Sequence, residues 1–266
     1  MDTVWKKGPV TTRPLTFECR GNRLRGCVFA PADAPVPNRT VILSHGFASD
    51  MRTTRKYTPI FTELGWTTVI FDFPGSGCGT SAGDSTKMSC VTEKEDLLQL
   101  LEYLRDQPWV DPDRILLSGC SMGGFVSALA AGEQPEAVAG LVLFYPGFSI
   151  PHSARMGYLP DCKVDPERIP DTFPCGNLTL GRVFMEDAMQ LDPWREIRRY
   201  QGPVFLIHGV EDLAVDVEFS RIAAEEYEDA VLVEIHGDHG FFRSGFPEAK
   251  AATQEWLRRW EDPKNL

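Results

Sequence analysis

Arg114-Ile115-Leu116-Leu117-Ser118-Gly119-Cys120-Ser121-Met122-Gly123-Gly124-Phe125 opens on a short apolar run, passes through Gly-x-Ser-x-Gly and enters a helical segment reaching Ala131. A buried strand that turns sharply into a helix holds the central serine in a strained backbone conformation. The flanking glycines let strand and helix approach without side-chain clash. Chance alone gives about 0.1 matches to the bare pattern in a chain of this composition, so the pattern by itself is only moderately specific and it is context that singles out Ser121. A second match, Gly79-Thr80-Ser81-Ala82-Gly83, follows a glycine-rich loop and precedes Asp84-Ser85-Thr86-Lys87. Lacking both strand and helix, Ser81 reads as a loop serine. Cys120, one position before the apex, is expected to point into the fold as a small buried hydrophobe.

Outward from this stretch, short apolar runs alternate with amphipathic ones. Thr40 to Leu43, Thr67 to Phe71, Arg114 to Leu117, Val138 to Phe144, Val204 to Ile207 and Ala230 to Ile235 read as buried strands. Between and after them, Thr53 to Leu64, Thr92 to Arg105, Met122 to Gly132, Glu218 to Tyr227 and Pro247 to Trp260 read as helices, the second behind a Thr92 cap with Glu95 three residues on. Pro14 to Cys19 and Arg23 to Phe29 flank Gly21-Asn22 and predict an antiparallel hairpin that sets Cys19 opposite Leu24. The fold class expected is α/β: a mostly parallel, doubly wound sheet with antiparallel strands at its N-terminal edge. Residues 1–266 read as a single domain carrying an insertion over about 147–200. The insertion is rich in proline and in large apolar residues, including Phe148, Ile150, Met156, Leu159 and Phe184, which suits a small lid over a pocket, although most of these side chains are expected simply to pack.

With 42% hydrophobic and 24% charged residues, the chain has the composition of a soluble globular protein. A formal net charge of −11 argues against nucleic acid as a partner, since phosphate binding needs clustered lysine and arginine. No apolar run suits a membrane span, and Met1 to Phe17 carries no signal-peptide core, so a cytoplasmic location is expected. Seven cysteines without a C-x-x-C pair read as free thiols, with neither zinc site nor disulfide framework.

A serine nucleophile needs a neutral imidazole, itself held in one tautomer by a carboxylate. Of five histidines, His239 in Gly237-Asp238-His239-Gly240-Phe241 follows the last strand on a loop able to reach Ser121. His236 and His208 end strands and read as structural, while His152 lies in the insertion with its role open. For the acid, Gly209-Val210-Glu211-Asp212 follows the preceding strand, and spacing leaves Glu211 and Asp212 both open. Leu43-Ser44-His45-Gly46-Phe47-Ala48 ends the first central strand, where the NH of Phe47 can join that of Met122 in an oxyanion hole. His45 reads as loop-shaping.

The order serine, acid, histidine and these motifs resemble α/β-hydrolase esterases over nearly the whole chain, most closely the bacterial cinnamoyl and feruloyl esterase group. His45-Gly46-Phe47, Asp72-Phe73-Pro74-Gly75-Ser76-Gly77, Gly119 to Gly124, His208-Gly209 with Asp212 and Val215, and Gly237 with His239 carry the likeness. So does the lid-like stretch from Tyr145-Pro146-Gly147-Phe148 to Ala154-Arg155. The resemblance implies the α/β-hydrolase fold and favours Asp212 over Glu211. Two departures stand out: Cys120 replaces the histidine often found before the nucleophile, and Gly79 follows Cys78 where the family usually has serine. The activity implied is hydrolysis of carboxylic esters with an apolar or aromatic acyl group through an acyl-enzyme on Ser121. Phe47, Phe148, Met156 and Leu159 are the pocket candidates. A peptidase or thioesterase is the alternative on the same fold, and a non-catalytic ligand-binding member the rival from another class. No cofactor and no metal are implied; the expected partner is a small-molecule ester, with a homodimer as a further option.

Overall fold

The computed structural model describes residues 9–77 and 79–261. Cys78 and residues 1–8, the first part of the stretch Met1 to Phe17, lie outside the described residues.

A ribbon of β1 (Val10–Cys19) and β2 (Asn22–Pro31) opens the chain. Its turn is Arg20-Gly21, one residue earlier than the sequence predicts: both residues have positive φ, 48° and 74°, as a two-residue turn matching the strand twist requires. Cys19 therefore faces Asn22, and Phe17 faces Leu24. Cys27 faces Pro14, far from Cys19, whose thiol lies 3.2 Å from Asp96 Oδ1 instead.

The remaining sheet strands are β3 (Asn38–Ser44), β4 (Thr67–Asp72), β5 (Val110–Cys120), β6 (Gly140–Phe144), β7 (Val204–Gly209) and β8 (Ala230–Ile235). Their order across the sheet is β1-β2-β4-β3-β5-β6-β7-β8. From β4 onward all neighbours run parallel, whereas β2 meets β4 antiparallel. Strands β4, β6 and β7 are buried along their whole length, which explains why they read as unbroken apolar runs.

Helices cover both faces. Leu97, Leu101 and Leu104 of Cys90–Arg105 pack with Phe125 and Val126 of Met122–Glu133 on one side, while Phe61, Trp66, Phe205 and Leu257 of the closing helix Phe246–Glu261 pack on the other. The helix over 90–105 is capped by Ser89 rather than Thr92: Ser89 Oγ accepts from the Thr92 NH at 3.1 Å, and Thr92 Oγ accepts from the Ser89 NH at 2.8 Å. The single helix predicted over 53–64 is two short ones, Met51–Thr54 and Thr58–Thr62, separated by a tighter turn.

Between β6 and β7 the chain forms the helix Ile150–Arg155, two small ribbons (Tyr158–Leu159 with Cys162–Lys163, and Thr172–Cys175 with Leu178–Gly181), and the helices Arg182–Gln190 and Pro193–Ile197. A disulfide, Cys162–Cys175, joins the two ribbons. This overturns the free-thiol reading for that pair: the fold of the insertion, invisible in the spacing of the cysteines, brings their Cα atoms to 4.9 Å. Cys19, Cys27, Cys90 and Cys120 are free. Among the described residues, no helix is long and apolar enough to cross a membrane.

Candidate active site

Ser121 follows β5 and caps the helix Met122–Glu133 with φ +54° and ψ −123°, the strained elbow expected. The elbow is so tight that a Cβ on Gly119 would lie 2.2 Å from the Gly123 carbonyl oxygen, and one on Gly123 would lie 2.2 Å from that of His45. Glycine is thus required for the strand, the helix and the loop after β3 to meet here. Five non-glycine residues have positive φ among the described residues; apart from Arg20 they are Ala48, Ser121, Tyr145 and Phe241, each in a turn just past the carboxyl end of a parallel strand. Strain concentrated in this way marks a site whose geometry the surrounding fold imposes.

His239, after β8, donates from Nδ1 to Asp212 Oδ2 at 2.7 Å. The Asp212 side chain is fully buried, and its other oxygen accepts from the NH groups of Ala214 and Val215 at 2.8 and 2.9 Å. Burial alone would push its carboxyl up; hydrogen bonds from His208 and His239, the charge of His239 and the Val215 NH outweigh burial and hold it well below the ordinary carboxylate range. Glu211 instead faces solvent beside His236 at 3.6 Å, so it is Asp212 that meets the imidazole of His239. His208 has more than a packing role. Its Nε2 lies 3.0 Å from the Val215 carbonyl and 3.2 Å from Asp212 Oδ2, and its Nδ1 lies 2.7 Å from Ser220 Oγ. Two acceptors at Nε2 place the proton there, so His208 donates to the same carboxylate oxygen as His239.

Ser121 and His239 line one cavity of about 870 Å³ together with Phe47, Met122, Ile150 and Leu159. Among the described residues, no hydrogen bond joins the Ser121 hydroxyl to His239. In unliganded enzymes such contacts are often long and tighten in the substrate complex. Met122 opens its helix, so its NH has no acceptor within the helix, and the NH of Phe47 likewise has no partner among the described residues. His45 is fixed in the loop behind them: Nε2 accepts from the Phe73 NH at 3.0 Å, and Nδ1 lies 2.8 Å from the Gly46 carbonyl.

Two pocket candidates are placed elsewhere. Phe148 is completely buried between Phe125 and Trp194, and Met156 is 60% exposed away from the cavity wall. The first packs the insertion onto the helix after Ser121; the second lies just past the end of Ile150–Arg155, beyond the wall that Ile150 forms. Ser81 does serve the loop, accepting from the Arg25 NH at 2.8 Å and donating to the Asp72 carbonyl at 2.5 Å. Cys120 is buried, and burial pushes its thiol up to about 12 against hydrogen bonds from Tyr145 and Tyr57. It stays protonated and is no rival nucleophile. Among the described residues, no three His, Cys, Asp or Glu side chains gather where they could hold a metal ion.

Residues 35–164, a little under half of the chain, match the family described as Hydrolase_4, serine aminopeptidase S33. The chain is 27% identical over 275 residues to a 31.7 kDa protein of Escherichia coli from the traX-finO intergenic region, covering 87% of this chain and 94% of that one. It is 25% identical over 251 residues to YqkD of Bacillus subtilis (strain 168), covering 91% and 77% respectively. Among solved structures, Est1E from Butyrivibrio proteoclasticus with ferulic acid bound superposes with a TM-score of 0.86 at 25% identity, over 92% of this chain and 98% of that one. XC6422 from Xanthomonas campestris, described as a serine hydrolase without lid, gives 0.64 at 23% identity over 95% and 96%.

Proposed function

We propose, for a chain that is a serine hydrolase of the α/β-hydrolase fold related to the feruloyl esterases, that it cleaves carboxylic esters of small molecules bearing an apolar or aromatic acyl group. Ser121 attacks the ester carbonyl and His239 takes its proton, steadied through Nδ1 by Asp212. The oxyanion rests on the free NH groups of Phe47 and Met122. His239 then protonates the departing alcohol, and water attacks the acyl-enzyme to release the acid. The observation that carries this reading is the pairing of a serine in a strained elbow with a histidine, already bonded to a buried carboxylate, on the wall of one cavity.

The acyl group is placed against Phe47, Ile150 and Leu159, which give that wall its apolar surface; the ring of Phe47 is braced edge-on by Phe184 of the insertion, centroids 5.5 Å apart. The insertion thus serves as a lid over the acyl side. Likeness to an esterase seen with ferulic acid supports an aromatic acyl group. The match to serine aminopeptidases favours an amide as the second reading. Methyl ferulate, p-nitrophenyl acetate and an aminoacyl p-nitroanilide, assayed in parallel, separate the two. Ester turnover by wild type, lost by at least about 10³-fold in a folded Ser121→Ala variant, is the expected result. Undiminished turnover in that variant would refute the assignment.

A further inference from the structure

The reading of Ser121 and His239 leaves the alcohol half of the ester without a binding surface, and the cavity mouth offers one. Eight large apolar side chains are exposed among the described residues, and three of them, Leu213, Phe242 and Tyr158, line this same cavity. Leu213 is 100% exposed, Phe242 74% and Tyr158 50%. Apolar groups gathered at a cavity mouth mark a binding surface, whereas single ones scattered over a protein need no explanation.

All three sit on anchored backbone. Leu213 follows Asp212, whose carboxylate holds the next two NH groups. The Phe242 NH donates to Asp238 Oδ1 at 2.8 Å, and Lys56 Nζ lies 4.3 Å from the centre of its ring. Tyr158 starts the ribbon tied down by the Cys162–Cys175 disulfide. Of the charged residues that line the cavity, Glu211 lies 3.6 Å from His236 and Asp238 lies 4.0 Å from Arg243.

Direction follows from the chemistry. The imidazole that receives the serine proton passes it to the leaving oxygen, so the alcohol must depart on the histidine's side of the site. Leu213 is on the loop of the acid and Phe242 on the loop of the base, whereas Phe47 follows β3 and Ile150, Tyr158 and Leu159 belong to the insertion. We infer that Leu213 and Phe242 form an apolar rim that binds the leaving alcohol, so that preferred substrates are esters of hydrocarbon alcohols rather than of strongly polar ones.

Acetate esters of ethanol, butanol and hexanol test this, because the acyl group and the leaving-group acidity stay nearly constant. Wild-type kcat/KM should rise about tenfold or more from ethyl to hexyl as the added methylenes are buried on the rim. In Leu213→Ser/Phe242→Ser, whose melting temperature should match wild type because both side chains are exposed, the hexyl-to-ethyl ratio should fall below about threefold. A flat series in wild type, or an unchanged ratio in the variant, would overturn the rim while leaving ester hydrolysis standing. Failure of wild type to hydrolyse any ester would instead bring down the reading of the site itself. Wild-type binding to phosphatidylcholine vesicles, lost in the variant and accompanied by a flat series, would overturn the rim in favour of a membrane-facing surface.

Discussion

The ring of Tyr145 meets that of His239 edge to face, with centroids 4.7 Å apart, from a backbone held at φ +37°. Its hydroxyl lies 2.7 Å from that of Tyr57, which in turn donates to the Gly240 carbonyl at 3.2 Å, where Lys56 Nζ also donates. Tyr145 thus braces the imidazole directly, and through Tyr57 the loop that carries it. Tyr145→Ala should lower kcat by roughly 10–100-fold with a smaller change in KM, since a small misplacement of a catalytic group is costly. Tyr145→Phe, which keeps the ring, should restore kcat to within about threefold of wild type. Equal loss in both variants would show that the hydroxyl network, not the ring, does the positioning.

Asp212 Oδ2 is shared by His239 and His208. Asp212→Asn should therefore keep the fold yet lower kcat by roughly 10³–10⁴-fold, because the amide can no longer hold the imidazole in the required tautomer and charge state. His208→Gln should cost less, as the carboxylate keeps its two backbone donors and His239. Steady-state kinetics on p-nitrophenyl acetate, with thermal melts for both proteins, measures the two effects.

Asp96 and Glu93 lie inward on the helix Cys90–Arg105. Burial raises the Asp96 carboxyl to about 6, its hydrogen bond with Cys19 and the charge of Arg20 only partly opposing. Glu93 is pushed well above the usual range by burial and then by Asp96, and neither of its oxygens has a hydrogen-bond partner among the described residues. Both acids hold their protons more tightly folded than unfolded; through Asp96 the fold loses stability as pH rises from about 4 through about 6 and retains that loss at neutral pH. For Asp96 the loss is on the order of 2–3 kcal/mol. Asp96→Asn should melt several degrees above wild type at pH 7.5 and show no advantage near pH 4. A constant difference across that range would contradict the assignment.

The Cys162–Cys175 bridge closes a loop with a sequence separation of 13 and fixes a ribbon whose Tyr158, Leu159, Pro160 and Asp161 line the cavity. Ribbons of two-residue strands have little stability of their own. Dithiothreitol, or Cys162→Ser/Cys175→Ser, should raise KM for methyl ferulate severalfold while p-nitrophenyl acetate, too small to reach the ribbon, changes little. The double variant should be indifferent to dithiothreitol; a variant that still responds would move the effect to another cysteine.

The fold was legible because its central strands are buried on both faces and so read as apolar runs, and because Gly119 and Gly123 frame a turn that only glycine permits. The hairpin turn was displaced by one residue because Arg20, an unlikely residue for positive φ, occupies it. The sequence pattern does not separate Ser89 from Thr92 as the cap, because the two form one capping pair and carry the same kind of hydroxyl three residues apart. Around the site, strand ends point to Ser121, Asp212 and His239; the structure sets Ser121 and His239 on the wall of one cavity and buries Asp212 against His239. Tyr145, the second bond of Asp212 to His208, the burial of Phe148 and the Cys162–Cys175 pair depend on contacts between distant segments, for which local patterns carry no signal.

The left-handed backbones of Ala48, Ser121, Tyr145 and Phe241 each cost roughly 1–3 kcal/mol. Selection for heat resistance would thus find glycine at Ala48 or Phe241 rewarding, and the same relaxation would free the loops that carry the proposed oxyanion donor Phe47 and the imidazole of His239. Thermal hardening and turnover should pull against each other at these turns, and a hardened version of this enzyme would gain its margin more safely at Asp96 and Glu93, buried acids that do not line the cavity.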